Sequence, residues 1–165
     1  MSGIAGNVSQ DLDDTRPIVV ATDFSSDSAA ALLWASRYAA LLKAPLLVLH
    51  VVHDPAESAG FYLRDKKDAE RTMSDVAEEM MAAFLAEARG ENPDMTPIAE
   101  ARSELVTGLP PSRIIEVAKG VDAQIIIVGS RGRSGVSNIL MGSVAERVAQ
   151  LAPVPVVIVK GQVGG

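Results

Sequence analysis

The apolar residues of this chain form two kinds of pattern, short unbroken runs and longer stretches with helical spacing. The unbroken runs are too short for free helices and rich in Val, Ile and Leu, which is typical of buried strands. They occupy residues 18–21, 46–52, 125–128 and 154–160. A weaker run at 97–106 alternates in polarity and predicts an edge strand with one face in water.

Between these runs, apolar residues recur every three or four positions, as on one face of an amphipathic helix. The spacing predicts helices over about 27–43, 65–89, 110–120 and 143–151. Ser25 or Ser26 can cap the first of these helices. The residues predicted for the apolar faces of the first two helices are Ala29, Leu32, Leu33, Ser36, Ala39, Ala40, Ala69, Met73, Val76, Met80, Ala83 and Phe84.

The predicted elements therefore follow the order β-α-β-α-β-α-β-α-β. Alternation of this kind indicates a parallel sheet covered by helices on both faces, which is a single-domain α/β fold. We assign residues 17–161 to this domain. Residues 1–16 are expected to form a flexible leader and residues 162–165 a flexible tail.

The composition narrows the classes of function. The 165 residues carry a net charge of −6, which disfavours a protein that coats nucleic acid or anionic lipid. The absence of cysteine excludes disulfides, thiolate metal sites and cysteine nucleophiles. No apolar stretch is long enough to span a membrane, and the first residues lack the pattern of a secretory signal. We therefore expect a cytoplasmic protein with no membrane insertion.

The glycine loop, defined as residues Gly129–Ser143, lies between the fourth strand and the last helix. Ligands of open parallel sheets bind at the carboxyl ends of strands. Glycines let backbone N–H groups approach an anion, and a helix start adds free donors. The Ser143 hydroxyl and the charges of Arg131 and Arg133 would complement phosphate. The loop thus suits a polyphosphate, although its glycines could instead serve only to end a strand and cap a helix.

The glycine loop matches neither the P-loop, G-x-x-x-x-G-K-S/T, nor the dinucleotide motif, G-x-G-x-x-G. Its spacing, G-x-x-G, nine residues, then G-S, resembles the ATP-binding signature of the universal stress protein family. Gly129, Gly132, Gly142 and Ser143 complete that signature. Other stretches resemble the family's first, second and last strands and its third helix. They are IVVATDFS at 18–25, LLVLHVV at 46–52, APVPVVIVK at 152–160, and Gly108, Pro110, Ile114 and Ala118.

The resemblance implies a five-stranded parallel open sheet of order 3-2-1-4-5, with a nucleotide between the first and fourth strands. The implied ligand is ATP, or ADP or AMP, with Mg²⁺ or Mn²⁺ bound through the phosphates. Ala21, Thr22 and Asp23 would meet the adenine and ribose, and the backbone of Val51 would meet adenine. The phosphates would lie on the glycine loop, at Gly129, Ser130, Arg131, Gly132, Gly142, Ser143 and Val144.

Asp23 and the two histidines each have a structural interpretation as well as a functional one. Asp23 could cap the first helix, since it lies just ahead of Ser25 and Ser26. His50 lies inside a strand and is expected to be packed. His50 and His53 lack the carboxylate or cysteine spacing that a metal site needs.

No residue stands out as able to orient an attacking water, so we expect a nucleotide-responsive stress or regulatory module with slow ATP hydrolysis at most. Two alternatives stay open: an ATP-hydrolysing enzyme of the adenine nucleotide alpha hydrolase type, and a dimeric interaction module with an empty cleft. The last strand, Val154–Val159, is apolar and lies at a sheet edge, which predicts a homodimer through that strand. The sequence does not identify the regulatory partner.

Overall fold

A parallel sheet forms the centre of the computed structural model, which describes residues 15–53, 62, 72–132 and 141–161. The strands run in parallel in the order β3-β2-β1-β4-β5, as the family resemblance implied. The predicted fold class is therefore confirmed. The strands of the described ranges are β1 (Ile18–Ala21), β2 (Leu46–Val52), β3 (Arg102–Thr107), β4 (Ile125–Gly129) and β5 (Val156–Val159).

The helices begin and end close to the predicted positions where the sequence offers caps. Ser25 caps the first helix by accepting a hydrogen bond from the Ser28 N–H, and Pro110 begins the fourth. The second helix is described from Met73, so the predicted start near residue 65 and Ala69 lie outside the described residues. The helices are α1 (Ser26–Leu42), α2 (Met73–Glu91), α3 (Thr96–Ala99), α4 (Pro110–Gly120) and α5 (Ser143–Leu151).

Each face of the sheet has its own core, because successive side chains of a strand point to opposite faces. In β1, Ile18 and Val20 belong to the cluster that contains Leu32 of α1. Val19, between them, belongs to the cluster that contains Val148 of α5. All three β1 side chains are fully buried, so helices cover the central strand on both sides.

The buried face of α1 differs from the predicted one. Ala31 and Ala35 are fully buried, whereas Ala29 and Ala40 of the predicted face are exposed. The prediction was wrong there because apolar residues also occupy the outer side of the helix, where Leu41 is 80% exposed. The hydrophobic pattern alone therefore does not predict which face of α1 is buried. In α2, Met73 and Ala83 are likewise exposed, while Val76 and Met80 are buried as predicted.

The predicted strand 97–106 is two elements. Residues Thr96–Ala99 form the short helix α3, and β3 begins only at Arg102. Pro97 explains the difference, since proline fits the first turn of a helix but offers no N–H to a sheet. Similarly, β5 begins at Val156, directly after Pro155, and not at residue 154. β3 and β5 are the two edge strands of this sheet.

Candidate functional site

A cleft of about 240 Å³ opens at the carboxyl ends of β1, β2 and β4. Part of its lining, the apolar wall, comprises Leu49 and Val51 of β2, Ile114 of α4 and Val128 of β4. Polar lining residues include Thr22 and Asp23 of the loop after β1 and Arg131 and Ser143 of the glycine loop. The cleft therefore has an apolar surface that suits a flat base next to a polar end that suits charged groups.

Ten of the eleven predicted site residues line this cleft. Ser130 of the glycine loop is the exception, because its side chain is buried and its hydroxyl donates to Asp27 at 3.0 Å. Arg133, also considered for phosphate, lies outside the described residues. The ten residues that the fold brings together are Ala21, Thr22, Asp23, Val51, Gly129, Arg131, Gly132, Gly142, Ser143 and Val144.

The start of α5 faces the polar end of the cleft. Its N-cap is Gly142, which has no side chain to accept from the first-turn amides, unlike Ser25 at the start of α1. Ser143, Val144 and Ala145 follow Gly142 in the lining of the cleft. The first N–H groups of a helix lack partners within it and carry a partial positive charge. This helix start can therefore bind an anion.

The glycines of the loop allow close approach between its two ends. The Gly142 N–H donates to the Ser130 carbonyl at 2.6 Å, and a Cβ at Gly142 would lie 3.4 Å from the Gly132 nitrogen. A Cβ at Gly132 would lie 3.2 Å from Oδ2 of Asp23. The absence of side chains at these positions brings the start of α5, the strand end and Asp23 to one point.

Asp23 combines the two interpretations that the sequence left open. Its Oδ1 accepts from the Ser25 N–H at 3.0 Å and from the Ser28 hydroxyl at 2.7 Å, as expected of a residue that stabilises a helix start. Its Oδ2 lies beside Gly132, which also lines the cleft. The same carboxylate therefore organises the turn into α1 and contributes an acceptor to the cleft.

His50 fixes the backbone of the loop after β1. Its Nδ1 lies 2.7 Å from the Thr22 carbonyl oxygen, and its Nε2 lies 3.0 Å from the Tyr62 hydroxyl. A carbonyl can only accept, so Nδ1 carries a proton. The ring also packs on Phe24, with centroids 4.3 Å apart, and Phe24 adopts a left-handed φ of 64°. His50 is packed, as predicted, and its contacts support a backbone conformation that is costly for a residue other than glycine.

Asp27, in the first turn of α1, is the residue of the site that sequence reasoning missed. Its side chain is 4% exposed and accepts four hydrogen bonds from the glycine loop. Oδ2 accepts from the Ser130 hydroxyl at 3.0 Å, the Arg131 backbone N–H at 3.0 Å and Arg131 Nε at 3.2 Å. Oδ1 accepts from an outer guanidinium nitrogen of Arg131 at 3.2 Å. An acidic residue in a first helical turn is so common that its sequence position gave no signal.

Glycines surround Asp27 on two further sides. A Cβ at Gly129 would lie 2.8 Å from the carbonyl carbon of Asp27, and one at Gly161, after β5, would overlap Asp27 Oδ1. Asp27 thus lies where α1, the glycine loop and the end of β5 meet. Burial raises the pKa of Asp27, but hydrogen bonds from Arg131 and Ser130 outweigh it and hold the pKa below its ordinary value of 3.8. The carboxylate is therefore charged and neutralises Arg131.

Metal clusters and membrane spans are not found in the part of the chain that the structure describes. Within residues 15–53, 62, 72–132 and 141–161, no three His, Cys, Asp or Glu side chains lie close enough together to hold a metal ion. None of the helices in those ranges is both long enough and apolar enough to cross a membrane.

The fold and the cleft have counterparts among known proteins. The sequence is 32% identical over 146 residues to a universal stress protein of Mycolicibacterium smegmatis, covering 87% of this chain and 48% of that protein. The chain thus spans about half the length of the mycobacterial relatives that it matches.

Solved structures that resemble this fold include two complexes with nucleotides. A universal stress protein of Archaeoglobus fulgidus in complex with dAMP has a TM-score of 0.56 and 28% identity, covering 87% of this chain and 97% of that one. A universal stress protein in complex with cAMP has a TM-score of 0.61 and 25% identity, with coverages of 90% and 98%. The model of the universal stress protein family matches residues 14–160. Since that match spans nearly the whole described fold, this chain belongs to the universal stress protein family.

Proposed function

We propose that this chain binds an adenine nucleotide in the cleft at the carboxyl ends of β1, β2 and β4, and that ATP is its ligand. The observation that carries the proposal is the meeting of Asp23, Gly132 and the start of α5 in a cleft that also has an apolar wall. The family relatives described with dAMP and cAMP support an adenine nucleotide as the class of ligand. The function would be that of a stress or regulatory module whose nucleotide state alters contact with a protein partner.

The arrangement suggests a role for each part of the cleft. Adenine would lie against the apolar wall, near the Val51 backbone, and the ribose would lie beside Asp23. The phosphates would accept from the free amides at the start of α5 and from the glycine loop. Because Arg131 is already neutralised by Asp27, the amides and the helix start would supply most of the positive potential of the described residues.

A divalent cation would be held mainly by the phosphates in this arrangement. Asp23 is the only carboxylate among the described residues that line the cleft. Mg²⁺ commonly binds proteins through one or two carboxylates together with substrate phosphates and water. The donor set therefore fits a cation that arrives with the nucleotide, and the ion would supply charge neutralisation.

The experiment that tests this proposal is isothermal titration calorimetry with ATP, ADP, AMP, cyclic AMP and GTP. If the loop binds phosphates, affinity should rise from AMP to ADP to ATP. Gly132→Val should weaken ATP at least tenfold, since its side chain would enter the space beside Asp23. Gly90→Val, on an exposed part of α2 with no atom within 4 Å of the added Cβ, is the matched control and should bind as the wild type does.

Each other outcome of this titration changes the conclusion. A preference for cyclic AMP or AMP over ATP would replace ATP with a monophosphate as the ligand. No binding of any nucleotide would refute the proposed function and leave the module with an empty cleft. Steady ATP turnover at about 1 s⁻¹ or faster, the lower range for ordinary enzymes, would favour the hydrolysing enzyme over a module with slow hydrolysis at most.

We also infer a homodimer through β5. This strand is an edge of the sheet, and its four apolar residues are each partly exposed. The carbonyls of Pro155 and Val159 accept from β4 and the residue after it, so the N–H and C=O of Ile158 point to the open edge. Ile158→Pro should therefore yield a monomer by analytical ultracentrifugation, while Ile158→Ala, which keeps the N–H, should stay dimeric. A wild-type monomer, or a dimeric proline variant, would refute this interface.

A further inference from the structure

The buried contact between Asp27 and Arg131 assigns both residues a role that the family motif does not describe. Arg131 belongs to the glycine loop and lines the cleft, which would suit a direct contact with phosphate. Its Nε and an outer nitrogen of its guanidinium instead donate to the two carboxylate oxygens of Asp27, each at 3.2 Å. A two-point contact of this kind fixes the plane of the guanidinium as well as its position.

We propose that Asp27 is a positioning residue that holds the glycine loop in its phosphate-binding conformation, and that Arg131 orders this loop through Asp27. The proposal rests on the nucleotide site proposed above. Asp27 reaches the loop through the Ser130 hydroxyl, the Arg131 backbone N–H and the Arg131 side chain. Two successive loop residues are thereby tied to the first turn of α1 before any ligand arrives.

The hold extends from Asp27 to the start of α5. The backbone of Ser130 donates to the Val159 carbonyl at 2.8 Å and accepts from the Gly142 N–H at 2.6 Å. Gly142 is the N-cap of α5, and Ser143 and Val144 of its first turn line the cleft. Displacing Ser130 would therefore displace the residue that precedes the phosphate-facing amides. Binding to a loop that is ordered only part of the time weakens the apparent affinity by the ordered fraction.

Because the contact between Asp27 and Arg131 is largely buried, it depends on both charges. The Asp27 side chain is 4% exposed and that of Arg131 is 25% exposed, so water replaces a lost partner poorly. Asp27→Asn keeps the shape but turns an amide toward the guanidinium and leaves Arg131 uncompensated. On charge alone, this change would strengthen ATP binding, since it removes a negative charge near the phosphates. Loss of positioning predicts the opposite sign.

The test compares wild type and Asp27→Asn by calorimetry with ATP and with adenosine. We expect Asp27→Asn to weaken ATP binding at least tenfold. This is the effect of a fall in the ordered fraction of the glycine loop from near one to one tenth. Adenosine, which has no phosphate to reach the loop, should bind both proteins equally. Asp94→Asn makes the same change at an exposed position between α2 and α3 and should leave both affinities unchanged. Equal or tighter ATP binding by Asp27→Asn would overturn the proposal, and an equal loss for adenosine would reduce Asp27 to a general structural role.

Hydrogen–deuterium exchange of the free protein tests the hold without any nucleotide. The Arg131 and Gly142 amides should exchange faster in Asp27→Asn, while amides of β2 and α2 should not change. Unaltered exchange at both amides would refute the proposal even if the protein binds no nucleotide. Conversely, faster exchange in Asp27→Asn together with no ATP binding by the wild type would support the positioning role of Asp27 and refute the proposed function.

Arg131→Lys is a second variant for the case in which Asp27→Asn does not fold. Lysine keeps the charge but cannot make the two-point contact. If Arg131 orders the loop through Asp27, Arg131→Lys should weaken ATP and speed exchange of the Gly142 amide. If Arg131 acts as a charge on phosphate, both quantities should stay near those of the wild type, and that result would overturn the proposal.

Discussion

Replacing Gly129 with alanine should destabilise the protein, although alanine usually suits a regular strand or helix better than glycine. The added Cβ would lie 2.8 Å from the carbonyl carbon of Asp27 and 2.9 Å from its Cβ. Restoring a contact of 3.4 Å requires α1 and β4 to separate by about 0.6 Å, the difference between 3.4 and 2.8 Å. Close-packed interiors resist such shifts, and overpacking typically costs about 1–3 kcal/mol.

Gly90→Ala provides the matched control for this change. Gly90 is exposed within α2, and a Cβ there meets no atom within 4 Å. The same substitution should stabilise the protein by about 0.5–1 kcal/mol, because alanine favours the helix. The two variants should therefore shift the free energy of unfolding in opposite directions and differ by at least about 1.5 kcal/mol.

Urea denaturation followed by circular dichroism measures both variants. If each variant has the same m-value as the wild type, the substitution has changed the free energy of unfolding and not the surface exposed on unfolding. Thermal melts should agree, at about 2–4 °C for each kcal/mol in a protein of this size. If Gly129→Ala proved as stable as the wild type or more so, α1 would not pack closely on the end of β4. Steric contact with Asp27 would then not explain the first glycine of the motif.

Three further substitutions test separate parts of the structure. The pKa of Asp27 is lowered in the folded protein, so the stabilisation by its carboxylate is complete above about pH 4 and disappears as pH falls through the folded-state pKa. The difference in stability between wild type and Asp27→Asn should be about 2 kcal/mol or more at pH 7 and should shrink only below pH 4 in urea titrations. A difference that disappears near pH 6 would contradict this. Tyr62→Phe removes a hydrogen bond to buried His50 and should cost about 1 kcal/mol, whereas Tyr38→Phe, on half-buried Tyr38 of α1, should cost less; equal losses would discount the contact with His50. Gly108→Ala should cost about 1–3 kcal/mol, because Gly108 has a φ of 140° that alanine rarely adopts, and a neutral result would contradict that geometry.

Local patterns were enough to predict the elements that carry the site. The run Ile125–Val128 is unbroken and apolar, as a central parallel strand must be, and the structure places it as β4 beside β1. The spacing of the glycines identified the loop after β4, and all four motif positions line one cleft. The alternating polarity, by contrast, misled the prediction at residues 97–99, where Pro97 lies in the first turn of the short helix α3.

Contacts between distant residues could not be predicted from such patterns. Asp27 and Arg131 are 104 positions apart, and neither position is unusual on its own. The role of Asp27 depends on the parallel pairing of β1 with β4, which brings the start of α1 next to the glycine loop. The same pairing explains why Arg131, a natural phosphate ligand by its position in the loop, has its charge neutralised within the protein.

The most direct test of the central claim, that the cleft binds the nucleotide with its phosphates on the glycine loop, is an NMR titration of the ¹⁵N-labelled protein with ATP. We expect the largest amide shifts at Gly132, at residues 142–145 and around Asp23 and Val51. Residues of α3 and the exposed end of α2 should stay unperturbed. Shifts confined to those remote residues, or none at millimolar ATP, would contradict this mode of binding.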